Sequence, residues 1–210
     1  MRELFPGAHH WTGVHPRTGL RVSSYYIEPA GVLIDPVLPD DGLDAFAGRE
    51  RPRQVVLTSG LHTRHADRFA DAFGCPIVTS REGADRIGDA LEVETYGDGD
   101  DVAPGVRAVR VGVLCPDEYA LHITATEGAL ALADALHHYG DALGFFGDEL
   151  LGDDPKAVKE GLKQQLLALL QRDFDHLLFA HGDPIVGRGK TALRDFATSP
   201  AGHEDYGQAL

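Results

Sequence analysis

The side chains with reactive chemistry set the first limits. His62, His65 and Asp67 fall close together at the start of a segment with helical spacing, and each is of a type that can ligate a metal. The same residues also suit the polar first turn of a helix, so spacing alone leaves both readings open. Asp117 and Glu118 are carboxylates of the type used in general acid and base catalysis, yet adjacent residues entering a strand point to opposite faces, which argues against a working pair. His137 and His138 read as solvated rim residues. Cys75 and Cys115 stand well apart and read as small buried apolar side chains, not as a disulfide framework or a Cys-rich zinc site. No Gly-x-Ser-x-Gly elbow occurs, and Gly187-Arg188-Gly189-Lys190 lacks the spacing of a phosphate-binding loop.

These groups have to be positioned by regular elements, and the hydrophobic pattern supplies them. Leu20 to Ile27 and Gly31 to Pro36 read as two hairpin-linked strands broken by Glu28-Pro29-Ala30. Gln54 to Thr58 is short, β-branched and apolar throughout, which suits a strand buried on both faces. Ala66, Phe69, Ala70 and Phe73 recur at helical steps before Gly74, and Pro76 to Thr79 reads as the next strand. Glu82 to Leu91 reads as a second helix, and Tyr96 to Gly105 as an acidic surface connection. Val106 to Leu114, Tyr119 to Thr126 and Ala129 to Leu132 read as strands of a second sheet. Asp154-Pro155 starts a helix whose apolar stripe runs from Val158 to Leu170. Phe174 to Ala180 makes a last strand, Thr191 to Thr198 a closing helix, and a frayed tail is expected from Pro200.

Two successive halves, roughly 1–100 and 101–199, each with strands followed by helices, imply two sheets packed face to face with helices outside. At 210 residues, 43% hydrophobic and 25% charged, the composition is that of one globular domain spanning 1–210. A net charge of −14 with no basic run disfavours nucleic acid and anionic membrane surfaces as partners. The N-terminus has no secretory-type apolar stretch and no segment reaches the length of a membrane span, so a cytoplasmic protein is expected.

The order of segments resembles the metallo-β-lactamase superfamily. The resemblance rests on Tyr25-Tyr26-Ile27 with Leu33-Ile34-Asp35, Val55-Val56-Leu57-Thr58, Pro116 to Leu121, Leu132-Ala133-Asp134, and Phe179-Ala180-His181-Gly182. It spans nearly the whole chain and implies an α/β fold, a metallo-β-lactamase-like αββα four-layer sandwich with two mixed sheets. It also implies metal ligands from a His-x-His-x-Asp-His loop after the Leu-Thr strand end, a later histidine, a bridging aspartate and a final histidine.

This sequence departs from that ligand pattern. Aligned on Leu57-Thr58, the loop positions fall on Ser59, Leu61, Thr63 and Arg64, and the later histidine falls on Leu114. Arg64 would place a permanent positive charge where a cation belongs. A register slid by four residues instead uses Thr63, His65, Asp67 and Arg68. Asp134 and His181 match in either register; as isolated residues they would cap the next segment and bond a turn. His9-His10-Trp11 would line the cleft mouth or the surface.

The resemblance therefore implies a degenerate, metal-poor cleft with no cofactor, either without hydrolytic activity or with its chemistry carried by Asp134, His181 and neighbours such as His62, His65 and Arg64. The alternative is a metal-dependent hydrolase of a small ester, thioester or amide, holding zinc or iron through an irregular set drawn from His62, His65, Asp67, Asp134 and His181. A third reading is a non-catalytic binding module. A small molecule is the expected ligand or substrate, and a homo-oligomer is compatible with all three.

Overall fold

Alternation along each strand decides how the chain layers, because neighbouring residues face opposite ways and here both sides need apolar cover. The computed structural model describes residues 1–199, and the tail expected to fray lies outside the described residues. The first sheet is built in chain order from β1 (Arg2–Phe5), β2 (Ala8–Val14), β3 (Arg21–Ile27), β4 (Val32–Ile34), β5 (Gln54–Val56), β6 (Ile77–Ser80) and β7 (Glu94–Tyr96). β1 to β4 pair antiparallel, and β4 to β7 pair parallel. The helices α1 (Ala66–Phe73) and α2 (Arg81–Ile87) make the β5–β6 and β6–β7 crossovers, and a connection with a short 3-10 turn at Gly42–Phe46 makes the β4–β5 one.

The second half adds β8 (Asp101–Ala103), β9 (Val106–Arg110), β10 (Tyr119–Ile123) and β11 (Ala129–Leu132), then a separate hairpin of β12 (His137–Tyr139) and β13 (Ala142–Gly144). After α3 (Pro155–Leu169), β14 (His176–Phe179) lies parallel beside β11, and α4 (Gly189–Thr198) closes the described fold. α3 starts as its sequence implies: the Asp154 side chain accepts the Ala157 N–H at 3.0 Å, with Pro155 in the first turn.

Three apolar clusters report the four layers. Val32 and Ile34 of β4, with Val56, meet Leu121, Ile123, Ala129, Ala131 and Leu178 between the sheets. Their strand neighbours Leu33, Val55 and Leu57 face outward onto Phe69 and Phe46. On the far side Leu130, Leu132, Leu177 and Phe179 meet Leu162, Leu166 and Leu193 of α3 and α4. The αββα sandwich follows from this two-sided burial.

Several expectations need correcting. The acidic connection 96–105 contains the end of β7 and all of β8, an edge strand whose exposed Asp101 pairs with Arg107 of β9. The first fourteen residues include β1 and β2, and His9, His10 and Trp11 are buried and not on the surface, with His10 and Trp11 lining a hollow beside Asp183. Their polar atoms are satisfied by residues distant in sequence: His9 Nε2 lies 2.8 Å from Glu28, His10 Nε2 lies 3.1 Å from Ser23 Oγ, and Trp11 Nε1 donates to the Val37 carbonyl. His137 is buried too, its Nε2 donating to the Phe145 carbonyl at 3.0 Å, while His138 is half-buried. Both cysteines are half-buried and free. No helix among the described residues is long and apolar enough to cross a membrane.

The β12–β13 hairpin acts as a strap over the end of β14. His138 N donates to the His181 carbonyl at 3.1 Å, Asp183 N donates back to the His138 carbonyl at 3.0 Å, and Gly182 turns between them with φ of 95°. A β-carbon at Gly182 would land on the His138 carbonyl. Gly182→Ala is therefore expected to lower unfolding stability by roughly 2–4 kcal/mol through backbone strain and overpacking. A urea melt with a midpoint close to that of the unsubstituted protein would contradict this account of the strap.

Candidate metal centre

Sheet register brings the first two donors together. β11 and β14 pair parallel with Leu132 opposite Phe179, and Ala180 N donates to the Leu132 carbonyl at 3.0 Å. Asp134 and His181 each lie two residues beyond those partners, so they emerge side by side from the same end of the sheet. His181 Nε2 lies 3.2 Å from Asp134 Oδ1. The first sheet supplies the third donor from the equivalent end of β5, where His62 Nε2 also lies 3.2 Å from Asp134 Oδ1.

The path of the loop after β5 is set from outside it. Asp117 accepts Ser59 Oγ at 3.0 Å and Gly60 N at 2.8 Å on one oxygen, while Arg86 forks onto the other at 2.8 and 3.0 Å. His62 N then donates to the Ser59 carbonyl, closing a turn that drives the imidazole inward. The ring is only 3% exposed, and its Nδ1 lies 2.9 Å from Asp35 Oδ2. Asp35, at the end of β4, also accepts Thr58 N at 2.8 Å and a short hydrogen bond from Thr58 Oγ1.

One ligand atom each from His62, Asp134 and His181 lie within 4.8 Å of one another, the one such grouping among the described residues. Neighbouring donors around a zinc ion are about 3.4 Å apart when each bond is about 2.1 Å, so the two 3.2 Å edges match a coordination shell. The Asp35 contact to His62 Nδ1 has the form of the outer carboxylate that orients a metal-binding histidine.

The remaining expected site residues fall differently. His65 precedes α1 and its Nδ1 accepts Leu38 N at 3.1 Å. Asp67 is exposed on α1 and lines a hollow of about 530 Å³ with Ala70, Asp71 and Glu92. The four-residue slide is thus not used, because helical geometry from Ala66 onward carries Asp67 to the outer face. Ser59 and Arg64 are buried, Leu61 is exposed and Thr63 is half-buried, so the unslid register brings no ligand either. His62 stands at no ligand position of either register; the turn fixed by Asp117 brings it inward and Asp35 holds it there.

Arg64 forms part of the floor. Its Nη1 donates to the carbonyls of Ser23 at 2.6 Å and Asp35 at 2.7 Å, and its Nε and Nη2 are buried without hydrogen-bond partners. Burial lowers its pKa, with Asp35 and Asp134 acting in the opposite direction. Its Nη1 is thus directed at main-chain carbonyls, which holds the guanidinium as a positive strut under the site.

Charges in the cluster compensate one another. Burial would favour neutral His62, but Asp134 and Asp35 on its two nitrogens outweigh it and raise its pKa to about 9. Burial would raise Asp134 and Asp35, yet His62 holds both below the usual carboxylate range, with help from His181 for Asp134 and from Arg64 for Asp35. His15, missed in the sequence, feels the charges of Arg64, His62 and His181; burial and Arg64 lower its pKa to about 4. Its Nδ1 accepts Arg17 N at 3.1 Å, which keeps its proton on Nε2. Phe146 meets the His181 ring edge-on at 5.4 Å.

Comparison with known proteins bears on the fold. No family model and no curated protein matches the sequence. Among solved structures, a metallo-β-lactamase family protein from Thermus thermophilus superimposes with a TM-score of 0.63 at 15% identity, covering 93% of this chain and 79% of the other. A metallo-β-lactamase from Hirschia baltica gives 0.62 at 16% identity over 93% and 94%. A flavo di-iron protein mutant from Thermotoga maritima gives 0.63 at 14% identity over 90% and 58%. The two packed sheets, their outer helices and these structural matches show that the chain has the metallo-β-lactamase fold.

Proposed function

We propose that the chain is a metal-dependent hydrolase of a small ester, thioester or amide whose centre is reduced to one ion, held by His62, Asp134 and His181. The observation that carries this reading is the pair of 3.2 Å edges on Asp134 Oδ1 together with the Asp35 carboxylate behind His62. Degeneracy then means loss of a second site: Ser59, Leu61 and Thr63 offer no strong donor, and the Arg64 strut supplies the positive charge beneath the floor. Two histidines and one carboxylate suit zinc or iron, and the flavo di-iron neighbour is an iron protein on the same fold. Bound there, such an ion supplies Lewis acidity and lowers the pKa of water toward about 7.

The chain's own residues do the rest. Asp35 keeps a proton on His62 Nδ1 and so leaves the Nε2 lone pair for the ion. Asp134 Oδ1 faces both histidines and sets their spacing. Phe146 fixes the His181 ring plane, and exposed Leu61, on the loop that carries His62, offers apolar contact for a small acyl group. Neutral His15 offers an Nε2–H donor to a polarised carbonyl.

A second reading draws on a different observation. With both nitrogens facing carboxylates and a pKa near 9, His62 can carry the positive charge itself, leaving a metal-free binding module. Elemental analysis of protein purified without chelator separates the two. The hydrolase reading expects near-stoichiometric zinc or iron, lost in His181→Ala and weakened about 10–100-fold in Asp35→Asn. Zinc-soaked protein that stays metal-free would sink it.

The pH dependence of the metal-stripped protein follows from the same cluster. His62 has a raised folded pKa, so its contribution is complete below about 6.5 and is lost as pH rises through about 9. Asp35 and Asp134 have lowered pKa values, so theirs is present above about 4 and is lost on acidification. Stability of the stripped protein should therefore fall between about pH 6.5 and 9, and His62→Gln should flatten that limb. Nitrogen NMR showing a neutral His62 ring at pH 7 in stripped protein would contradict the charge assignment.

A further inference from the structure

The outer helical layer leaves part of the first sheet uncovered. α1 stops at Phe73, where Gly74 takes the left-handed conformation at φ of 59°, and α2 gives way after Ile87 to a short 3-10 turn at Gly88–Ala90. Near these helix ends lies the hollow of about 530 Å³ that Asp67 lines. On its floor Ile77 is buried, while Ala70, Cys75, Leu91 and Val93 are half-buried at the margin of the cluster built on Phe46 and Phe69. Apolar side chains left partly bare together, inside a polar rim, mark a surface that a partner can finish covering.

That rim carries one sign of charge. Asp67 and Asp71 stand on α1, Glu92 on the approach to β7 and Glu94 at its first position, and all four are exposed without an ion pair or hydrogen bond. Among the described residues no lysine, arginine or histidine lines the hollow. Arg51, beside Gly74, turns its Nε to the Phe73 carbonyl at 2.8 Å. Helix stability does not account for Asp71: it lies in the last turn of α1, where the helix dipole disfavours an acid, and one turn from the like charge of Asp67. Next to this rim the sheet ends, for no described strand pairs with the outer edge of β7. Carboxylates on such an edge resist pairing with a second copy of a chain of net charge −14, whereas an extended basic chain meets them with the opposite sign.

We infer that this hollow, with the adjoining edge of β7, is a docking surface for an extended basic segment of another protein. The segment seats an apolar side chain on Ile77 and Leu91 and sets flanking lysine or arginine against the four carboxylates. The apolar anchor supplies affinity, and the rim supplies sign selectivity and attraction on approach. The surface lies away from the metal centre. Ile77 and Glu94 open the parallel strands β6 and β7, whereas His62 follows the far end of β5, so the inference does not depend on the hydrolase reading.

The test is a titration of the nitrogen-15-labelled chain with the amidated peptide Lys-Leu-Lys-Leu-Lys at about 0.15 M salt, followed by amide NMR shifts. The expected result is saturable shifts centred on Cys75, Ile77, Leu91 and Val93. Glu92→Gln combined with Glu94→Gln should weaken Kd about 3–10-fold. The peptide Lys-Ser-Lys-Ser-Lys should bind at least about 10-fold more weakly than the leucine peptide. Asp153→Asn combined with Glu160→Gln removes the same charge elsewhere and should leave Kd within about twofold. If that control weakens binding as much as the rim variant, or if the shifts scatter over the acidic surface, bulk charge is the cause and the inference is overturned. Equal affinity for the serine peptide, or no saturable shift, also overturns it. The same shifts with spermidine alone would make the hollow a site for small amines, and shifts on simple dilution of the chain would make it a contact between copies; either result replaces the basic segment.

Discussion

The buried Asp35 carboxylate is the contact on which both halves of the site depend. An ionised carboxylate taken out of water is strongly destabilising unless its oxygens are fully paired. Here Thr58 supplies its N–H and hydroxyl, and His62 supplies Nδ1. The main chain of the same residue is held as well: its carbonyl accepts Ser24 Oγ at 2.7 Å and Arg64 Nη1, and its N–H donates to the Val56 carbonyl. One residue thereby ties β3, β4, β5, the His62 loop and the Arg64 strut. It does so at φ of 45°, an unfavourable conformation for a non-glycine residue that surrounding contacts must hold in place.

Why the donors gather at one end of the sandwich follows from strand direction. Parallel strands β4 and β5 end at Ile34 and Val56 and run out toward Asp35 and Thr58, as parallel strands β11 and β14 run out toward Asp134 and His181. The two sheets are stitched together at that same end. Ser23 N donates to the Ala180 carbonyl at 2.9 Å, and Tyr25 OH both donates to the Phe179 carbonyl and accepts the Phe179 N–H. Positions on rigid strand ends are more precisely held than positions on free loops. The one donor that does sit on a loop, His62, is held by Asp35 on one side and by the Asp117-braced turn on the other.

This explains how far the sequence could be read. Apolar runs such as Val32–Ile34 and Ala129–Leu132, and the Asp154-Pro155 helix start, declare themselves because burial on both faces and capping act locally. β2 does not, since Ala8-His9-His10-Trp11-Thr12 has no simple alternation and its polar atoms are satisfied by Glu28 and Ser23, partners invisible to a local pattern. Asp134 and His181 were legible because they follow strands at fixed distances. His62 stood out as a histidine near the helix start, but its inward turn is dictated by Asp117, in the far half of the chain. Asp35 carried a signal that could have been used: a lone acid closing an apolar strand before Pro36.

On the single-ion reading, Arg64 accounts for the loss of a second site. A guanidinium cannot be deprotonated in practice, so its charge is permanent beneath the floor, where Asp35 and Asp134 answer it. A second divalent cation beside it would meet repulsion that the loop positions Ser59, Leu61 and Thr63 do nothing to offset, since none of them brings a formal charge. Coulombic repulsion between close charges is several kcal/mol even at an effective dielectric of about 20, enough to exclude an ion with so few donors. At the remaining corner the balance is different. There the competitor of a cation is a proton on His62, already stabilised by the same two carboxylates that a cation would need. On that reading the centre is poised between proton and metal, with the same two carboxylates serving either occupant.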